Sequence, residues 1–336
     1  MAKYSFHSIS FAYKIAAAML LLAAMFAIAM IFGAADVTLK DLWLALTTSS
    51  AEKKLTVIRE IRLPREIGAA FVGAALAVSG AVMQGLTRNP LADPGLLGLS
   101  AGAYAALAVT LALFESANYF VTMAACFIGA GTGAMLVFGI SSIRRGGFSP
   151  LRIVLGGAAI SAFLYAIADG VKLYFKVSKS VTTWTSGGLI GTNWSQLQVI
   201  APLILIGLLA AFLLSRQLTI LSLSEEISVG LGQKTRYMKG ILFLAVIILT
   251  GSSVALAGNL VFIGLMVPHF VRMFTGTDYR FVLPMSAIAG ALFMLFADTT
   301  GRTLNAPFET PVAAIVAMLG LPFFLLIVRR GGTSIR

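Results

Sequence analysis

At 336 residues, the chain is 59% hydrophobic and only 11% charged, with a mean hydropathy of +0.94. Soluble domains carry about 25% charged residues, so this composition excludes an ordinary water-soluble enzyme and points to one polytopic membrane domain over 1–336. The net charge of +12 brings no nucleic-acid partner with it, because the basic residues lie in short loops between apolar runs and form no aromatic-interleaved stripe.

In chain order, about ten runs are apolar and long enough to cross a bilayer core, which takes about 20 helical residues. The first covers 15–35. A cleaved signal peptide is the rival reading there, but its apolar core would be about 7–15 residues, so a retained span is expected. Runs at 67–87 and 95–114 follow, then one within 116–143, one at 153–173 and one near 197–215. The lone cysteine, Cys126, lies in an uncharged run and reads as a small buried hydrophobe. The stretch 240–271 carries no formal charge. As one helix it would measure roughly 48 Å at 1.5 Å per residue, against a hydrocarbon core of about 30 Å. Gly258 and Asn259 supply a break, which gives one helix to about Ala257 and a shorter one over 262–273. Spans near 281–297 and 310–328 complete an all-α bundle with both termini on one side. Most basic residues then share that side, among them Arg144, Arg145, Arg152, Lys234, Arg236, Lys239, Arg329 and Arg330. The positive-inside rule makes it cytoplasmic.

Small residues recur in the second and third runs: Ala69, Gly73, Ala77 and Gly80, then Gly98 and Gly102. Such spacing lets helix backbones approach closely in lipid, and the two runs are expected to pack on each other as a hairpin. Polar residues stand out against this frame. The external loop before the second span holds Lys53, Lys54, Arg59, Arg62 and Arg65 among Glu52, Glu60 and Glu66. It reads either as an interfacial anchor or as a docking surface for an acidic partner, since Arg makes forked contacts with carboxylates. Asp169 precedes Lys172 by three residues and Asp298 precedes Arg302 by four, so each acid has a helical partner near a predicted water-accessible end. Structural pairing is the expectation for both, over proton coupling.

Between spans six and seven, Leu221, Leu223, Ile227 and Leu231 form an apolar set interrupted by Ser224, Glu225 and Glu226. Gly230 and Gly232 allow a turn before the basic patch at 234–239. This pattern predicts a short amphipathic cytoplasmic helix pair near 219–233, suited to a membrane surface or a partner groove. The run Gly-Leu-Gly-Gln-Lys-Thr within it ends like a phosphate-binding loop but has Ser228 and Gln233 where such a loop needs glycine. His269 has only His7 and a distant cysteine as companions, so no zinc spacing exists. Pro268 and His269 are expected to shape a helix end near the cytoplasmic face. An ion-coupled secondary transporter would need midspan carboxylates, and an intramembrane enzyme a cluster of catalytic groups; the sequence offers neither pattern.

The block RLPREIGAAFVGAALAVSGAVMQGLTRNPLADPGLLGLSAG from Arg62, the run VALAGNLVFIGLMVPHF from Val254 and LPMSAIAGALFMLFADTTGR from Leu283 closely resemble the FecCD-type permeases. Those are the membrane subunits of type II ABC importers for ferric siderophores, haem and cobalamin. The resemblance implies a permease bundle without a cofactor of its own, ATP and Mg being bound by partner subunits. It implies as partners a second, identical or similar permease, two cytoplasmic ATPases and one external substrate-binding protein. In the family, arginines of the RLPR motif and one after the ninth span meet glutamates on two lobes of the binding protein. Arg62 and Arg65 match the first pair and Arg302 the other, and all three are expected to surface externally; Arg59 joins them by proximity alone. The helix pair resembles the coupling helices that sit in ATPase clefts, which assigns Leu221, Leu223, Ser224, Glu225, Glu226, Leu231 and Gly232 to that contact. Whether Glu225 or Glu226 matches the family's single acid is left open. Ser149, between spans four and five, falls where the family narrows its cytoplasmic gate. Iron–siderophore complexes are the family's commonest cargo.

Overall fold

A computed structural model describes residues 10–33, 37–48, 52–114, 117–142, 150–186 and 188–329. Lipid offers backbone groups no hydrogen bonds, so a spanning chain must satisfy them within each segment, and the described residues are helical with short links. In order these are α1 (Phe11–Ile31), α2 (Leu39–Thr47), α3 (Lys53–Val57), α4 (Leu63–Thr87), α5 (Leu99–Leu113), α6 (Tyr119–Ser142), α7 (Pro150–Tyr174) and α8 (Ser178–Ser186). Then come α9 (Trp194–Leu213), α10 (Ser215–Leu221), α11 (Glu225–Gly230), α12 (Thr235–Ala257), α13 (Ile263–Thr275), α14 (Tyr279–Thr303) and α15 (Val312–Arg329). Among the described residues, seven stretches, containing α1, α4, α6, α7, α9, α12 and α14, are long and apolar enough to cross a membrane, and α5, α13 and α15 are shorter apolar helices. Together they fall on the runs expected from the sequence. The chain breaks between α12 and α13, where 32 uncharged residues would overshoot the bilayer as one helix.

The centre of the bundle is α4, buried along most of its length, whereas α1 is largely exposed on its apolar surface. Its glycines explain how neighbours come so close. A Cβ on Gly73 would lie 2.1 Å from the Gly290 carbonyl oxygen of α14, and one on Gly80 1.9 Å from that of Gly264 in α13. The expected hairpin between the second and third runs is not formed. Instead α4 packs on α14, α12 and α13, while α5 packs on α6 and α7 through Gly102 against Gly129. Small-residue spacing marks a close backbone approach but carries no address for the partner helix.

Two local features set up the ends of α4 and α13. A π-helical turn, Ile58–Arg62, precedes α4, with Leu63 N–H reaching back to the Ile58 carbonyl. Pro64 follows at once; it has no N–H to give and its ring crowds the carbonyl four residues back, so a widened turn accommodates it. Phe262, entering α13, has φ +71°, a left-handed conformation costing about 1–2 kcal/mol for a residue with a Cβ. Its side chain packs against Gly320 of α15, where a Cβ would come within 2.5 Å.

Candidate functional site

α4 and α14 lie antiparallel, with Arg65 beside Asp298 at one end, Gly73 against Gly290 in the middle and Gly85 beside Tyr279 at the other. The 25 residues of α14 span roughly 38 Å at 1.5 Å per residue, so the two ends are a membrane apart. Polar side chains gather at both.

At the first end, Arg65 Nε and Nη2 donate to the Asp298 carboxylate at 2.9–3.2 Å. Its Nη1 and Nη2 also reach the two oxygens of Glu309, each at 2.9 Å, as a forked pair. Arg302 pairs with Glu66, and its Nε lies 2.9 Å from Asp298 Oδ2, although that N–H points off the line of contact. The cluster also holds α1. Arg62 donates to the carbonyls of Met30 (2.8 Å) and Ile31 (2.9 Å), and Arg302 to those of Ala29 (3.1 Å) and Phe32 (3.2 Å). A helix leaves its last carbonyls without donors, and cations suit that end of its dipole. Three arginines thus meet three acids, and all but Glu309 do so out of water: Glu66 and Asp298 are 0% exposed and the arginines 6–8%, while Glu309 reaches the surface.

That burial corrects two expectations. Arg62, Arg65 and Arg302 do not stand on an outer surface, and Asp298 is closed to water although it pairs with Arg302 as its spacing predicts. The acids and carbonyls that draw the arginines inward come from α1, α4, α14 and the loop after it, more than 30 residues away in every case but the Asp298–Arg302 pair. Arg59 likewise turns to protein, its Nε donating to the Ala45 carbonyl at 2.7 Å and a second nitrogen to that of Thr48, which fastens α2 to the π turn. Asp169 and Lys172 form their expected pair at 2.7 Å, and Asp169 is solvent-exposed.

The second end is built around a proline. Pro268 lies inside α13 rather than at a helix end, which corrects the expectation for Pro268 and His269. Lacking an N–H, it leaves the Gly264 carbonyl without its helical donor. Gln84 of α4 supplies one, its Nε2 donating to Gly264 O at 3.1 Å and to Leu265 O at 3.3 Å. Gln84 Oε1 accepts from Arg272 Nη1 at 2.5 Å, and Arg272 Nη2 donates to the Tyr279 hydroxyl at 3.2 Å while lying over its ring. Tyr279 N–H donates to Thr219 Oγ1, whose own hydroxyl donates to Asp278 Oδ1. Asp278 also takes the Arg280 guanidinium, which holds its carboxyl below the usual range. Hydrogen bonds thereby run from α4 through α13 and α14 to α10.

The expected coupling pair is α10 and α11. Ser224 caps α11 by accepting the Ile227 N–H, and the buried Ser228 hydroxyl bonds back to the Ile220 and Ser224 carbonyls. Leu221 turns into the bundle, while Leu223, Ile227, Val229 and Leu231 are exposed, and Gly232 closes the turn at φ +73°. Glu226 is exposed as well. The Glu225 side chain and the whole of Ser149 lie outside the described residues. Sequence reasoning missed Gln84, Arg272 and Glu309; only the rarity of a polar residue inside an apolar run could have flagged the first two. It also missed α8, whose Trp184 stacks on Tyr119 at 5.5 Å beside an open cleft.

Comparison with known proteins gives a consistent answer. A model of the FecCD transport family matches residues 20–330. The chain is 42% identical over 299 residues to the iron(3+)-hydroxamate import system permease protein FhuB of Bacillus subtilis, covering 89% of this chain and 78% of that one. It is 39% identical to the hemin transport system permease protein HmuU of Yersinia pestis, over 89% of this chain and 90% of that one. Its fold matches an inward-facing conformation of a metal-chelate type ABC transporter with a TM-score of 0.82 at 26% identity, over 96% of this chain and 100% of that one. With ten apolar helices among the described residues, in the places expected from its apolar runs, the chain belongs to the FecCD transport family and is a multi-pass permease subunit of an ABC importer.

Proposed function

We propose that this permease carries ferric siderophores across the cytoplasmic membrane, with both termini in the cytoplasm, as one of a pair of permeases served by two ATPases and one external binding protein. Similarity to the hydroxamate permease, 42% over 89% of the chain, carries the cargo reading. ATP and Mg belong to the partner ATPases in this scheme, and 1–336 acts as one transmembrane domain.

The two ends of the α4–α14 core divide the partners between them. The exposed leucines of α10–α11, with Ser224, Glu225, Glu226 and Gly232, contact the ATPase; Leu221 supports that contact from within. The arginine end, with Arg59, Arg62, Arg65 and Arg302, receives the binding protein. The residues around Ser149 form the cytoplasmic gate. Deletion of the gene followed by growth on single iron sources tests the cargo. Loss of growth on ferric hydroxamates or catecholates, restored by the gene in trans, is the expected result. Loss confined to haem as the iron source would instead assign haem, the cargo named for one relative.

A further inference from the structure

We propose that Glu309 is a built-in stand-in for a partner's carboxylate: it occupies the outer fork of Arg65 and is exchanged for an acidic side chain when the external binding protein docks. The inference rests on the docking role given above to the arginine end, and it accounts for how buried arginines can serve an external partner at all.

Arg65 has two carboxylate neighbours, and they differ in one respect. Asp298 is fully buried and lies against both Arg65 and Arg302, so its departure would take a shared buried counter-charge from two cations at once. Glu309 touches Arg65 through both oxygens, yet its side chain is one-third exposed. A carboxylate at a water boundary can leave and be solvated at once. Replacing it with another keeps the charge balance of the cluster, so the exchange avoids the large cost of uncovering a buried ion. Only the Glu309 seat meets that condition.

The surroundings of the seat suit a protein partner. Glu309 sits on the link between α14 and α15, where residues 303–309 are all exposed. That link holds two large apolar side chains in the open, Leu304 at 67% and Phe308 at 72%, and Ile61, beside Arg62 in the π turn, is 57% exposed. The link is nonetheless fixed at its base, with Thr310 N–H donating to the Gly301 carbonyl at 2.8 Å. Apolar anchors around a fork that accepts a carboxylate describe a docking surface for an acidic loop with an apolar flank. Exchange at Arg65 would also release Glu309 and its link from α4, which passes the docking event directly to the start of α15.

The test measures association of the purified cognate binding protein with the full transporter in nanodiscs, with ATPase co-purification as the assembly control. Glu309→Gln weakens the internal competitor without removing its bulk, so binding should tighten about three- to tenfold, in keeping with the modest worth of a partly exposed pair. Glu309→Ala should tighten it likewise. Phe308→Ser should weaken binding, because it strips an anchor from the same surface. Weaker binding for Phe308→Ser with unchanged or weaker binding for both Glu309 variants overturns the exchange while leaving the docking face in place. No effect from any of the three variants removes the docking face and the exchange together.

Discussion

The two ends of the α4–α14 core solve the same problem with different chemistry. Both must hold polar groups inside a bundle surrounded by lipid. At the arginine end the answer is charge: three arginines balanced by Glu66, Asp298 and Glu309, with α1 tied in through its last carbonyls. At the Gln84 end it is a neutral amide, which fills the gap left by Pro268 and takes Arg272 on its oxygen. A joint made through a neutral amide can reorient at the cost of its hydrogen bonds. A charge cluster cannot lose a buried member without leaving an uncompensated ion. The first end therefore suits a fixed clamp with one replaceable member, and the second suits the moving connection between the α10–α11 pair and the helix break at α13.

The largest expected effect lies at the clamp. Asp298→Asn removes the buried charge that Arg65 and Arg302 share, and breaking such a pair from one side typically costs about 3–5 kcal/mol. A steep fall in the thermal midpoint of the purified permease is the expected reading, far beyond that of Glu309→Gln in the same assay. Equal, small shifts for the two would mean that burial does not rank the members of the cluster, and the contrast between clamp and joint would lose its basis.

A smaller effect is expected at the joint, and it carries its own control. Gln84→Leu leaves the Gly264 carbonyl without a donor, a loss of about 1–3 kcal/mol for a buried acceptor. Pro268→Ala introduces the N–H that a regular helix would direct at that same carbonyl. In the double variant the cost of losing Gln84 should shrink, so the two changes should be non-additive in thermal stability. Strict additivity would show that Gln84 acts through something other than the proline gap. The energetically milder joint should still matter for transport, since it connects α10 to α4 through Thr219, Tyr279 and Arg272.

What could be read from the chain follows the range of each signal. The break near Gly258 is visible because length against bilayer thickness is a local argument, and the Asp298–Arg302 pair because four residues is one helical turn. The partners of Arg65 are not visible, for Glu309 lies 244 residues away and no spacing rule reaches that far. The glycines of α4 show where backbones would touch, yet Gly290 and Gly264 are named only by the folded bundle. α2 and α8, nine residues each, are too short to register as spans, so the outer helices escape a search tuned to the bilayer.

The smallest effect concerns α2, which lies outside the spans and is capped by charge in water. Thr38 and Asp41 form a reciprocal capping box, with the Asp41 carboxylate accepting the Thr38 N–H at 2.8 Å and the Thr38 hydroxyl accepting the Asp41 N–H at 3.2 Å. Lys54 pairs with Asp41 at 2.8 Å. That ammonium, followed by the Thr38 N–H, lowers the Asp41 pKa from 3.8 to about 2. A depressed carboxyl stabilises the folded form while it is ionised, so its contribution is complete above pH 3.8 and disappears as the pH falls through about 2. Amide exchange of residues 39–47, corrected for intrinsic rates, should therefore quicken near pH 2 and hold steady above pH 4, while α4 stays protected throughout. In Asp41→Asn the pH step should vanish and α2 should exchange faster at neutral pH. A step of the same size in that variant would move the titrating group elsewhere and leave Arg59, through the Ala45 carbonyl, as the principal tie between α2 and the arginine end.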